Sequence, residues 1–426
     1  MVSALRHPIT IANFRAYFLS RLLGTIAISA QSIIIGWQVY SLARLTMDIK
    51  ESALLLGLIG LVQFVPLFLL TPVVGLIADT YDRRWIVRWT TLLLTINAAM
   101  LGYLTWSDGL TLPFLFVAAM FVGVARAFSG PAYSALAPNL VPREVLPTAI
   151  AVSSMAWQVG TIAGPSVGGV LYAIHPDVAY ASISAMFAAA LVLIFLISPV
   201  PQPAVQKDRR PIQRVVDGFS YVRNNRLVMA TITLDLFVVL FAGATALLPV
   251  FARDILGVGA DGFGILAAGM GIGATGASIW FSIFPMKTDV GIKMLGAVLL
   301  FAVAIVTFGL SRYFWLSLVA LVVAGAADMV SVYVRQSLIQ LHTPDEMRGR
   351  VGAVSALTIS ASNELGETES GLLASVIGPV AAVVAGGVAA IAVTLYWARL
   401  FPELRLAKTF DPPQHLDERK AQEATP

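Results

Sequence analysis

The sequence predicts an all-α membrane protein of twelve transmembrane helices arranged as two pseudo-symmetric six-helix bundles. Three observations predict it: a composition too apolar for water, twelve apolar runs of spanning length, and a weak internal repeat. Of 426 residues, 58% are hydrophobic and only 12% charged, where a soluble domain carries roughly 25% charged residues. A soluble body this apolar could not cover its own surface. Hydrocarbon is therefore the expected solvent, and a lipid bilayer the expected surroundings.

A spanning helix needs roughly 20 mainly apolar residues. On that measure helices are expected near 16–42, 52–78, 84–106, 112–137, 145–174 and 178–198, then near 227–252, 262–284, 291–311, 314–340, 349–373 and 377–400. Connections are short and carry turn signals such as Asp108-Gly109, Ser198-Pro199 and Gly257-Val258-Gly259. The first apolar run leads into a full-length helix without a small-residue cleavage site, so it is expected to be retained.

The expected units are an N-terminal bundle (1–198), a linker (199–226), a C-terminal bundle (227–400) and a disordered tail (401–426). The linker combines Pro199, Pro201, Pro203 and Pro211 with six basic residues. Within it Ile212, Val215, Val216 and Phe219 have the spacing of a short amphipathic helix lying on the membrane face.

The net charge is only +4, and no basic patch with interleaved aromatics points to nucleic acid. With both termini on one face, twenty-two Lys and Arg fall on that side and four (Arg44, Lys50, Arg253, Arg312) on the other, with Arg126 and Arg335 inside helices. The positive-inside rule then puts both termini in the cytoplasm of a multi-pass plasma-membrane protein, the inner membrane of a bacterium. The chain has no cysteine, which excludes disulfides and thiolate chemistry, and its four histidines (His7, His175, His342, His415) have no ligand spacing. Neither a metal nor a cofactor is expected.

Sliding the chain by 202 positions superposes the fourth and fifth helices on the tenth and eleventh. Gly123 and Arg126 fall on Gly325 and Asp328, Pro142-Arg143-Glu144 on Pro344-Asp345-Glu346, and Gly164 and Gly169 on Gly366 and Gly371. Duplicated halves are a common plan of secondary transporters, with the substrate site where the repeats meet.

Two motifs sharpen this. After the second helix comes Gly75-Leu76-Ile77-Ala78-Asp79-Thr80-Tyr81-Asp82-Arg83-Arg84, and the fifth helix carries Gly160, Gly164, Pro165, Gly168 and Gly169. Small residues four apart let a neighbouring backbone approach, and the proline permits a bend. Over residues 10–405 the chain resembles the major facilitator superfamily. The loop resembles that family's motif between the second and third helices, with Ile77 and Asp82 in place of leucine and glycine. The fifth-helix pattern resembles its antiporter motif, and Arg126 its fourth-helix arginine linked to proton transfer. Asn13-Phe14-Arg15 and Arg348-Gly349-Arg350-Val351 most resemble the enterobactin-exporter and macrolide-efflux branch. The resemblance implies two bundles rocking around a cavity lined by helices one, four, seven and ten, without an ATP-binding domain.

Ionisable groups at membrane depth cost at least ~2.5–3.5 kcal/mol, so each needs a reason. They are Arg126, Asp235, Asp328, Arg335, Glu364, Glu367 and Glu369. Counted from the helix ends, Asp328 lies level with Glu364, and Asp235 level with Arg335, which suggests an Asp235–Arg335 ion pair across the cavity. The proton-coupling candidates are Asp235, Glu364, Asp328, Glu367, Arg126 and Arg335, with Asp235 or Glu364 as carrier. The alternative is a set of buried pairs that only hold helices together, and Glu369 is expected to be solvated. Substrate-cavity candidates are Gln31, Trp37 and Gln38 on the first helix, with Gln31 and Gln38 seven apart on one face, and Trp157 and Gln158 on the fifth. Helix packing is the alternative for the glutamines.

The function expected is a monomeric, proton-coupled antiporter that exports a small amphipathic molecule, a drug or siderophore. The alternatives are a lipid or lysolipid flippase of the same fold and a non-transporting receptor or scaffold. An enzyme is not expected, since no nucleophile–base pair or metal cluster is visible.

Overall fold

The computed structural model describes residues 7–199 and 211–410, and among them no strand forms. The first half contains α1 (Ala12–Ala43), α2 (Ile49–Thr80), α3 (Arg83–Trp106), α4 (Leu112–Leu136), α5 (Leu146–Ile174) and α6 (Pro176–Phe195). The linker ends in α7 (Pro211–Asn224). The second half contains α8 (Arg226–Phe241) with α9 (Leu248–Val250), α10 (Gly259–Ile283), α11 (Val290–Leu310), α12 (Phe314–Leu341), α13 (Asp345–Ile377) and α14 (Pro379–Leu400), followed by α15 (Pro402–Arg405). With α8 and α9 taken as one span, each of the twelve expected helices is present.

Ten spans among the described residues are long and apolar enough to cross a membrane. The two that fall short in hydropathy, α5 and α13, hold the same fifth place in their halves. Their lower hydropathy has a packing reason: α5 lies between α1 and α10, and α13 between α2 and α8. A helix enclosed by helices answers to close packing more than to hydrocarbon. A Cβ on Gly169 of α5 would run into Gly264 of α10, and one on Gly371 of α13 into Gly57 of α2. These two contacts join the halves, and the repeat relates them: fifth helix to eighth, eleventh to second.

The seventh span departs from the continuous helix expected. It breaks after Phe241, passes through a 3₁₀ turn (Ala244–Leu247), and ends as a π turn over Phe251–Ile255. Gly243 sits where a Cβ would strike the Gly366 carbonyl, and Pro249 has no N–H with which to continue the ladder. The last two spans are divided at Gly378, whose φ of +88° is open to glycine. The start of α2 is fixed by a capping box, Asp48 with Glu51.

The tail is ordered further than expected. Phe401 and Leu404 are buried, Phe410 packs edge-on to Tyr333 of α12, and the Gly291 N–H donates to the Ala407 carbonyl at 3.0 Å. Three apolar residues in a charged segment supply the anchor. Residues 411–426, and the linker from 200 to 210, lie outside the described residues. The amphipathic α7 forms where expected but packs on α13. Gly218 meets the Arg350 backbone, Arg350 pairs with Asp217 at 3.2 Å, and the Tyr221 hydroxyl donates to the His342 carbonyl at 2.7 Å. Val216 and Phe219 remain exposed.

Candidate functional site

The halves are latched at the end opposite the termini. There Asp254, on the π turn, receives Arg44 at 3.1 and 3.3 Å and a short hydrogen bond from the Tyr40 hydroxyl, both at the far end of α1. Arg253 donates to the Ser41 carbonyl at 2.9 Å, and Lys50 of α2 to the Val376 carbonyl of α13 at 2.9 Å. Trp37 stacks on Phe263 of α10 with centroids 4.7 Å apart. These contacts between the halves lie in the far half of the helices.

At mid-depth the two halves meet through charge. Arg126 of α4 donates to Glu364 of α13 at 2.5 Å and reaches Gln63 of α2 at 3.4 Å. The Glu364 side chain is 4% exposed, while that of Arg126 is 34% exposed, so the pair has one open flank. Glu367 lies one turn along α13, with its side chain against Gly60 of α2, and forms no hydrogen bond among the described residues. Arg126 and Glu364 are each about 20 Å from the far ends of their helices at 1.5 Å per residue. Asp328 of α12 is at the same depth, half-buried and without a hydrogen-bond partner among the described residues. Two carboxylates beside one guanidinium at the seam can exchange a proton for a cation: protonating Glu364 removes the charge that holds Arg126.

Asp235 and Arg335 do form an ion pair. The expectation that it reaches across a cavity is corrected. It joins α8 to α12 within the second half, and its side chains are 7% and 4% exposed. Sealed in this way, the pair fixes helices and offers no open flank.

The α1 candidates are also relocated. Gln38 accepts from the Tyr180 hydroxyl at 2.5 Å and donates to Thr105 at 3.2 Å, partners on α6 and α3. Gln31 shares that face, is fully buried, and leaves its amide without a partner among the described residues. Trp37 is buried in the far-end stack. All three serve packing in place of a cavity wall. The α5 candidates fare differently. Gly160, Gly164 and Gly168 turn toward Thr25, Ser29 and Ala30 of α1, while Gln158 touches Met329 and the Ile162 backbone meets Gly271 of the other half. Between these two contact faces runs an exposed polar stripe of Ser154, Trp157 and Thr161. The opposite exposed arc is Met155, Val159, Val170 and Ile174, which suits hydrocarbon. Trp157 therefore looks into the gap between the halves.

The α2–α3 loop is held by a local fork. Asp82 caps α3 through the Arg84 N–H at 2.9 Å and takes the Arg84 guanidinium at 2.6 Å, while Arg84 also donates to the Ile197 carbonyl at 3.2 Å. Partial burial pushes the Asp82 carboxyl up, but the bonds from Arg84 outweigh it and hold the carboxyl below its usual range. Asp82, standing where the related motif has glycine, thus works as a helix cap. Arg83 is half-buried, and the side-chain surroundings of Gly75 and Asp79 lie outside what is described. Pro165 is accommodated inside α5.

The cross-half partner of Arg126 was absent from the sequence reading, as were Gln63 and Arg21. Equal depth from the far ends would have matched Arg126 with Glu364. Arg21, counted with the N-terminal basic residues, lies within α1 and donates to Tyr17 at 2.8 Å and Ser153 at 2.6 Å.

Comparison with known proteins agrees with the fold. The chain is 25% identical to the enterobactin exporter EntS of Shigella dysenteriae serotype 1 over 397 residues, 92% of each chain. It is likewise 25% identical to EntS of Escherichia coli O1:K1 over 406 residues, 94% of each. Its fold matches a bacterial homologue of the human lysosomal transporter Spinster, in an inward-facing and occupied conformation, with TM-score 0.70 at 15% identity, covering 94% of this chain and 99% of that one. A D-xylose–proton symporter matches with TM-score 0.68 at 15% identity, covering 93% and 99%. The model of the transmembrane secretion effector family matches residues 3–424. With its ten apolar spans among the described residues and the mid-depth charges where the halves meet, the chain belongs to the transmembrane secretion effectors, a family of the major facilitator superfamily.

Proposed function

We propose that this chain is a secondary active exporter that moves a small amphipathic molecule, a siderophore or drug, out of a bacterial cell in exchange for protons. The observation that carries the reading is the Arg126–Glu364 pair, which bridges the halves at mid-depth with Glu367 beside it. An ion pair between two rigid bodies that a proton can dissolve is a coupling device, because each protonation state favours a different arrangement of the halves. The 25% identity to enterobactin exporters supports a siderophore-like cargo. The lopsided distribution of Lys and Arg supports cytoplasmic termini and the inner membrane. On that orientation the latched far end is the outer gate, and the gap beside Trp157 opens to the cytoplasm.

The units on which this rests are bundles 1–198 and 227–400, joined by the linker 199–226 and acting as a monomer. A proton arriving from outside reaches Glu364 or Glu367 and frees Arg126. The latch at Asp254 then governs whether the outer side can part. Asp235–Arg335 keeps α8 and α12 moving as one body.

The test is transport in proteoliposomes with an imposed pH gradient and a panel of enterobactin, cationic dyes and lysolipids. Uptake that rises with the gradient is expected for enterobactin or a dye. Movement indifferent to the gradient refutes proton coupling, and movement of lysolipid alone makes the chain a flippase.

A further inference from the structure

Among the described residues, no acidic side chain pairs with Arg21. Its Nη1 donates to two neutral hydroxyls, Tyr17 at 2.8 Å and Ser153 at 2.6 Å, and its guanidinium lies 5.9 Å from the centre of the Tyr133 ring. Among the described residues no carboxylate pairs with it, and Nε and Nη2 make no hydrogen bond and are not sealed from solvent. The two other arginines deep within the helices are each neutralised: Arg126 by Glu364 and Arg335 by Asp235. A cation left uncompensated at membrane depth, with its fork free, is set for an anion that comes and goes.

An aromatic face lies next to it. Helices α1 and α5 run parallel in register, Arg21 against Ser153 and Thr25 against Gly160. Trp157 is one turn beyond Ser153 and falls between these two contacts. It is 46% exposed on the polar stripe that faces the gap, and its indole N–H has no partner among the described residues. Tyr17 and Ser153, which take the guanidinium bonds, are themselves hydrogen-bonded to each other, and the Tyr17 hydroxyl donates to the Tyr133 carbonyl at 2.9 Å.

We infer that Arg21 and Trp157 form a substrate site for an organic anion with a planar aromatic body, the guanidinium fork taking the anionic group and the indole stacking on the ring. This rests on the transport reading above, since the gap is a substrate path only if the halves rock. It narrows the cargo, because an amphipathic cation would meet repulsion at this position. Glu364, Glu367 and Asp328 lie deeper, at mid-depth, so the anion is drawn to the Arg21 side and away from the coupling carboxylates.

Equilibrium dialysis of the full chain in lipid nanodiscs tests the site with three probes: naphthalene-1-sulfonate, 1-naphthyltrimethylammonium and methanesulfonate. Only the aromatic sulfonate is expected to bind saturably. Arg21→Gln and Trp157→Ala should each weaken it about tenfold or more, while Trp157→Phe retains the stack. Ser153→Ala removes the tether but keeps the charge, and should stay within about threefold of the parent. Unchanged affinity in Arg21→Gln, equal binding of the naphthyl cation, or a loss in Ser153→Ala as large as in Arg21→Gln would each overturn the inference. Transport is read separately, by a Lys50→Cys/Val376→Cys pair across the far-end seam. If the sulfonate binds but that pair never separates under a pH gradient, the transport reading fails and the site stands.

Discussion

Glu364 and Asp235 show how one residue type takes opposite roles through its neighbours. Glu364 meets Arg126 of the other half, and the arginine keeps an open flank. Glu364→Gln preserves shape and one acceptor but cannot ionise. It should abolish the dependence of transport on the pH gradient while the protein still folds, as read by counterflow without a gradient; a variant that still responds to the gradient excludes Glu364 as carrier. Asp235→Asn should instead leave Arg335 buried without a counter-charge, at a cost of about 3–5 kcal/mol. That appears as a lowered melting temperature in detergent, with gradient dependence intact. Adding Arg335→Leu to Asp235→Leu should recover much of the loss, because the cost lies in the lone charge. Depth counting along the sequence was sufficient to match Asp235 with Arg335. It did not reveal that the pair is internal to one half, since depth says nothing of which way a side chain is rotated about its helix axis.

At the scale of the element, α5 and α13 carry the least apolar spans and the glycine contacts that join the halves. Their glycines were visible in the sequence, and the repeat paired Gly169 with Gly371. The partners were not: Gly264 and Gly57 lie on α10 and α2, more than 85 residues from the glycines they touch, and both belong to the opposite half. Gly371→Leu would drive its side chain into the α2 backbone at Gly57. The expected outcome is a parted far end, read as lost cross-linking of Lys50→Cys with Val376→Cys in a chain that has no other cysteine. Cross-linking equal to that of the parent pair would mean the seam yields without opening. The broken seventh span belongs to this scale too. Pro249 has no N–H with which to continue the helix, and the π turn that aims Asp254 at α1 packs on α10 and is tied to α1 through Tyr40, Ser41 and Arg44.

For the whole molecule, the decisive quantity is the balance between two arrangements of the halves. The far-end latch concentrates Tyr40, Arg44 and Asp254 at one point. Asp254→Ala should shift that balance toward the far-open arrangement by about 1–2 kcal/mol, a factor of roughly 5–30, measured by the same cysteine pair or by spin-label distances. An unchanged distance distribution would make the latch a bystander. By itself the sequence determined the class, the order of the helices and the depth of each charge, because hydropathy and helical rise are local properties that add along a chain. Only the tertiary structure decided that Arg126 holds Glu364, that Gln31 and Gln38 serve the core, and that Arg21 pairs with hydroxyls and with no carboxylate among the described residues. Those facts depend on the rotation of helices whose sequences are far apart, and rotation is set by how small residues let neighbouring backbones approach.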